Sequence, residues 1–191
     1  SERGERGETK AYIITSQQHD PLTREKLVEN LLIQGVEIHK AAEDFMVGAT
    51  RYDEGSYLLY LDQPKMGLIK TLLGETHFPD GPWTRERDGT PISPFDTATD
   101  TMAEFMGIRV DPVSSRPDVQ TTTVAGYTRP VGTIKGDSDI GYLFDTRLND
   151  SYWAVNMLLD EGLELKRFDE PVTIDGVDYP QGCFMALTGS E

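Results

Sequence analysis

The sequence predicts an α/β fold, a mostly parallel sheet flanked by helices with antiparallel hairpins at its edges. Two observations predict it. Apolar runs of strand character alternate with amphipathic helical stretches, and the order strand–helix–strand implies a parallel crossover. That order also occurs twice, in residues 11–61 and 141–187. Val28, Leu31, Leu32 and Gly35 plus 127 give Val155, Leu158, Leu159 and Gly162, and the same offset carries Tyr52 and Gly55 onto Tyr179 and Gly182. Tyr12 and Asp20 meet Tyr142 and Asp150 at an offset of 130. A shared order of elements in one register reads as a duplicated half-domain. The expected organisation is a linker over residues 1–10 and one α/β domain over 11–191, its halves joined by 62–140.

The first copy opens with Ala11-Tyr12-Ile13-Ile14, a short apolar run of strand character. Thr15 to His19 form a polar turn, Asp20 is suited to cap a helix, and Pro21 suits its first position. Leu27, Val28, Leu31 and Leu32 share one helical face, and Gly35 ends it. Val36 and Ile38 alternate with Glu37 and His39 as in a half-buried strand. Hairpins punctuated by Gly48 and Gly55 lead to the buried run Ser56 to Leu61.

In the joining segment, Pro64 starts a helix with Met66, Ile69, Leu72 and Leu73 inward and Gly74 as its stop. His77 to Pro94 reads as a long surface loop around Trp83. Thr97 to Met106 reads as a helix with Met102, Phe105 and Met106 on its apolar face, followed by a strand over Ile108-Arg109-Val110. Gln120 to Val124 is an edge strand. The second copy then repeats the scheme. Ile140 to Phe144 is its strand, Asn149 or Asp150 its cap, and Ala154, Val155, Leu158 and Leu159 its inward face. Gly162 ends the helix, and Leu163 and Leu165 point to the core. Asp175-Gly176 is a type I′ hairpin turn, and Cys183 to Leu187 is the closing strand.

A net charge of −15 argues against nucleic acid, which selects clustered Lys and Arg, and against anionic membrane surfaces. A solvated acidic surface accounts for it more simply. The single cysteine excludes an internal disulfide. No apolar run approaches the ~20 residues of a membrane span, so no membrane insertion is expected. The charged, glycine-rich opening Ser1 to Glu8 reads as a linker, and the chain is expected to be a piece of a longer protein.

The three histidines, His19, His39 and His77, stand in no zinc-binding spacing, and turn or solvated roles fit them better. Cys183 precedes no helix and so makes no nucleophile elbow. No phosphate-binding glycine motif follows a strand. No catalytic residue, metal ligand or cofactor is therefore assigned to this chain. One positional argument points to a ligand. In open parallel sheets, ligands bind beyond the carboxyl ends of the strands. The loops there are 15–20 and 145–150, and their candidate ligand-binding residues are Ser16, His19, Asp20, Asp145, Arg147, Asn149 and Asp150. Two well-capped helix starts account for the same residues.

The runs Ala11 to Ile14, Asp20-Pro21-Leu22, Leu27 to His39 and Tyr52 to Tyr57 resemble the C-terminal region of bacterial zinc carboxypeptidase-like proteins of the carboxypeptidase A family. Phe95-Asp96-Thr97, Met106 to Val110, Gly141 to Asp145, Asn149-Asp150-Ser151 and Ala154-Val155-Asn156 extend the resemblance over roughly residues 11–187. It is a likeness to an accessory region, because the family's zinc-binding His-x-x-Glu, its later His and its catalytic Glu map onto nothing here. The resemblance implies a periplasmic or secreted setting and an upstream peptidase domain as partner, with zinc in that domain. It also implies a flavodoxin-like or class I glutamine amidotransferase-like sandwich without a Cys-His-Glu constellation. The expected function is a non-catalytic accessory domain that supports the peptidase domain or binds peptide or cell-wall substrate. Two alternatives stand beside it. One is a small-molecule hydrolase or transferase with its site at loops 15–20 and 145–150. The other is a protein–protein interaction module using Trp83 and its loop.

Overall fold

A computed structural model describes residues 7–75, 80–93, 101–127, 130–134, 136–174 and 176–188. The described residues fall into two compact units. Those up to Gln18, with Leu27–Tyr127, make the first; His19–Lys26, with those from residue 128 on, make the second.

The first unit is built on a five-stranded sheet. Its strands are β1 (Ala11–Ile14), β2 (His39–Ala41), β5 (Tyr57–Tyr60), β6 (Val110–Val113) and β7 (Thr121–Thr123), in the order β6-β1-β5-β2-β7. Helix α1 (Pro21–Ile33) connects β1 to β2, as the sequence predicts. The predicted parallel pairing is corrected: β1 and β2 are not neighbours, and every ladder in the sheet is antiparallel. β5 lies between them and pairs with both, so β1 and β2 run the same way without touching. This is a split strand–helix–strand unit. The flavodoxin-like and amidotransferase-like sandwich is overturned with it.

Burial explains the arrangement. β1 and β5 are buried along their whole length and take the centre, whereas β2 carries the exposed Lys40 and sits one place outward. Alternate residues serve two cores. Tyr12, Ile14, Tyr57 and Leu59 face Leu27, Val28 and Leu31 of α1, Ile69 and Leu73 of α2 (Met66–Leu73) and Ala103 of α3 (Met102–Phe105). Ala11, Ile13, Leu58 and Tyr60 pack with Phe45 of β3 (Phe45–Val47) and Tyr52 of β4 (Thr50–Tyr52). Phe45 and Tyr52 also pair across the β3–β4 hairpin and stack.

Several boundaries differ from expectation. Val36 and Ile38 are buried but precede β2 rather than forming it. Within the expected helix 97–106, residues 97–100 lie outside the described residues, and α3 occupies only Met102–Phe105 behind a Thr101–Glu104 capping box. Phe105 is 84% exposed, and Ala103 is the buried residue instead. His77 and Pro94 of the predicted loop lie outside the described residues; 80–93 contain no helix or strand, with an isolated bridge between Arg85 and Pro91.

The second unit holds β8 (Gly141–Phe144), α4 (Asn149–Asp160), β9 (Leu165–Arg167), the hairpin β10 (Val172–Ile174) and β11 (Val177–Tyr179), and β12 (Phe184–Leu187). Its sheet order is β8-β12-β9, again antiparallel throughout, with β12 inserted between β8 and β9 as β5 is between β1 and β2. The two copies match residue by residue. Phe45↔Tyr52 recurs as Val172↔Tyr179, and Lys40↔Tyr57 as Arg167↔Phe184, both at the offset of 127. Tyr12↔Leu59 recurs as Tyr142↔Ala186, with β8 at the offset of 130. Turn bonds repeat too: Val36 N–H to Leu31 O becomes Leu163 N–H to Leu158 O, and Gly55 N–H to Ala41 O becomes Gly182 N–H to Phe168 O. Asp175 of the predicted hairpin turn lies outside the described residues. The second core is thinner. Val155, Cys183 and Ala186 are its buried apolar residues, while Leu159 and Leu163, expected inward, are exposed.

Candidate functional site

In the first unit, the loop after β1 and the end of β4 enclose an open polar depression of about 100 Å³. It is lined by Thr15, Ser16, Gln17, Arg51, Tyr52, Asp53 and Arg109. Ser16 is the one predicted site residue found there. Its N–H donates to Ser56 Oγ at 3.1 Å, and Gln17 Nε2 donates to Asp53 Oδ2 at 2.6 Å. Gln18 extends the β1–β6 pairing with its side chain: Nε2 donates to Arg109 O and Oε1 accepts from Arg109 N–H, both at 2.9 Å.

Both guanidinium groups at this depression are already paired. Arg51 donates to Asp44 Oδ2 at 2.6 Å, and Arg109 grips both oxygens of Asp111 at 3.1 and 2.8 Å. Burial and the neighbouring Asp111 carboxylate, which also hydrogen-bonds it, push the Tyr52 phenol up to about 12; Arg109 opposes them. The lining residues escape a reading of the sequence because they come from three separate stretches, 15–17, 51–53 and 109. The only local signal was Arg109 and Asp111, two apart and so on one face of a strand.

The other predicted residues, His19, Asp20, Asp145, Arg147, Asn149 and Asp150, lie in the second unit. Asp20 is their centre. Its Oδ1 accepts from Leu22 N–H and Thr23 N–H at 2.9 and 3.0 Å, the capping geometry the sequence predicts for α1. Its Oδ2 accepts from Thr23 Oγ1 at 2.7 Å and from Asn149 N–H at 2.9 Å. One carboxylate thus serves the first turns of two helices. The expected caps Asn149 and Asp150 are corrected: both lie inside α4, whose N-cap position is Leu148, with no side-chain cap of its own. Asn149 Nδ2 instead donates to Thr23 Oγ1, and Asp150 pairs with Lys26.

Asp145 is held by Arg147, whose Nε and Nη2 donate to its carboxylate and whose N–H donates to Oδ1 at 3.0 Å. The Arg147 side chain, against some opposition from burial, keeps the Asp145 carboxyl below its ordinary range, and the charge of His19 adds to this. The Asp145 carbonyl accepts from Ser151 Oγ at 2.6 Å. Cys183 is fully buried with Sγ 3.7 Å from Thr146 Oγ1, and it occupies the place that Ser56, equally buried, holds in the first copy.

No protein-family model, curated protein or solved structure matches the chain.

The chemistry rests on the geometry. Among the described residues, no three His, Cys, Asp or Glu side chains gather as a metal ion requires. His39 bonds Glu37 through Nε2 at 2.8 Å and packs on Tyr60. A general base needs an accessible lone pair within reach of a substrate proton. Asp20 is 5% exposed and holds four donors; Asp145 is clamped by Arg147. What these residues do in this arrangement is start helices and fix turns.

Proposed function

We propose that the chain is a non-catalytic accessory module of a zinc carboxypeptidase-like protein. It supports the peptidase domain or holds peptide or cell-wall substrate near it, in a periplasmic or secreted setting, and the zinc belongs to the upstream domain. The observation that carries the non-catalytic part is Asp20, the most deeply buried of the predicted site residues, whose carboxylate is taken up by four donors of the fold. The peptidase setting comes from the sequence resemblance. The test is an assay of the purified 191-residue chain, with added zinc, on peptides carrying a free C-terminus. No turnover is expected, whereas addition of the chain to the separately produced peptidase domain should change that domain's KM or thermal stability. Robust carboxypeptidase activity in the chain alone would overturn the reading.

A second observation favours an interaction module. Trp83 is 93% exposed on a loop stapled by two bonds from Arg85 to Asp80 and by the Arg85–Pro91 bridge. A held, solvent-facing indole is a common anchor of protein contacts. Under this reading Trp83→Ala removes the effect on the peptidase domain and leaves the chain folded.

A further inference from the structure

The depression after β1 holds hydrogen-bond donors that the fold leaves over. Arg109 grips Asp111 through Nε and Nη2, and its Nη1 makes no bond among the described residues. Arg51 meets Asp44 through Nη2 at 2.6 Å and approaches Asp53 through Nε at 4.0 Å, so its Nη1 is left over among the described residues in the same way. Each guanidinium is thus pinned by carboxylate and keeps further donors. A long side chain fixed before binding has less freedom to lose when a ligand arrives. Gln17 is fixed too, by its Nε2 bond to Asp53 at 2.6 Å. The repeat shows that the fold does not demand these residues. At the offsets of 127 and 130, Tyr52 and Gly55 keep their identity as Tyr179 and Gly182. Arg51 becomes Asp178, Asp53 becomes Pro180 and Gln17 becomes Arg147. The second copy forms its β10–β11 hairpin without them.

The lining sets the chemistry of the ligand. Two guanidinium groups stand among the carboxylates of Asp44, Asp53 and Asp111, so negative charge prevails and an anion is not drawn in. The one ring in the lining, Tyr52, is buried and offers no apolar floor. A volume of about 100 Å³ takes one edge of a small ring. Adjacent hydroxyl groups suit such a place. Each one donates and accepts, so a pair of them serves the guanidinium donors and the Asp53 carboxylate together. We infer that the depression binds a neutral saccharide, whose vicinal hydroxyls accept from Nη1 of Arg51 and Arg109 and donate to Asp53. A site made of polar groups that need partners selects for hydroxyls and against ligands that lack them. The inference goes beyond the accessory reading, because it rests on side chains of the first unit and on no peptidase domain.

The probes are two neutral trisaccharides, one of glucose and one of N-acetylglucosamine, titrated into the isotope-labelled full chain and followed by NMR. At least one of them should give saturable shifts at the amides of Ser16, Gln17, Asp53 and Arg109. Sodium sulfate and a blocked trialanine peptide, titrated in the same way, should not saturate there. Arg51→Lys keeps the charge and removes the guanidinium fork, and it should weaken saccharide binding about threefold to tenfold. The Arg51 side chain is 68% exposed, so this variant keeps the fold, as the unchanged amide spectrum of the second unit will show. Four results would overturn the inference: no saturable shift with either trisaccharide, saturable shifts confined to other residues, binding of sulfate or peptide at least as tight at the same amides, or an Arg51→Lys variant of unchanged affinity.

Discussion

Asp20 shows how a single side chain decides local structure at two places. Burial raises the pKa of its carboxyl, but the bonds from Asn149, Thr23 and Leu22 outweigh burial and hold it below its ordinary value. In the unfolded chain the group returns to about 3.9. Its stabilisation is therefore complete above that value and is lost as the pH falls through the lower native one. Asp20→Ala should destabilise the fold by about 2–4 kcal/mol near neutral pH, since it removes charged hydrogen bonds and the caps of two helices. Urea unfolding checks this, and the gap between wild type and Asp20→Asn should narrow as the pH is lowered below about 4. A gap unchanged down to pH about 2 would show that the native carboxyl is not the group responsible. Tyr52 makes a second residue-scale prediction. Its phenol, at about 12, should remain protonated where a free tyrosine has already ionised, and Asp111→Asn should lower it only part of the way, because burial is the larger cause and stays in place, as read by NMR of ring-labelled tyrosine.

The helix ends carry the clearest message at the scale of elements. Gly35 N–H bonds Leu32 O and Val36 N–H bonds Leu31 O; Gly162 and Leu163 repeat both bonds to Leu159 and Leu158. These are Schellman caps, with φ of 77° and 80° at the two glycines. An added Cβ would meet nothing closer than 3.5 Å at Gly35 and nothing within 4 Å at Gly162. Backbone strain alone then sets the penalty, so each Gly→Ala change should cost a similar amount, about 1–2 kcal/mol. Unfolding of each variant, followed at the amides of its own copy, checks this, and a much larger loss at Gly35 would reveal a clash that the geometry lacks. These caps were legible in the sequence because capping chemistry is local, and so were the repeat and the Asp20 cap of α1. The sheet order was not. β1 and β5 read as continuous apolar runs because both of their faces are buried, and an antiparallel strand buried on two sides looks the same as a parallel one. Pairing of β5 between β1 and β2 is a long-range choice without a local mark. The Asp20–Asn149 bond, spanning 129 positions, is hidden for the same reason, and so is the assembly of Arg51, Tyr52 and Arg109 around one depression.

Across the whole molecule, the two copies share a plan but not a core. The first surrounds its central strands with helices on one side and a hairpin on the other, so that Ile13, Ile14, Leu58 and Leu59 lose all contact with solvent. The second repeats the ladders, yet its β8 is half-buried throughout, and Trp153 and Met157 of α4 stand exposed. Apolar burial contributes about 1.5–3 kcal/mol for each large side chain removed from water, and conformational entropy opposes both copies alike. The second copy should therefore open more readily. Hydrogen exchange followed by mass spectrometry should find the amides of β1 and β5 exchanging at the slowest rate in the chain, and those of β8 and β12 at least tenfold faster, a difference of about 1.4 kcal/mol in opening free energy. Ile14→Ala should speed exchange in β1 and β5 strongly, because it opens a cavity in a packed core. Leu159→Ala should change the second copy little, because that side chain is 52% exposed and few packing contacts are lost. Equal protection in the two copies would show that the second draws its stability from something other than its own buried side chains.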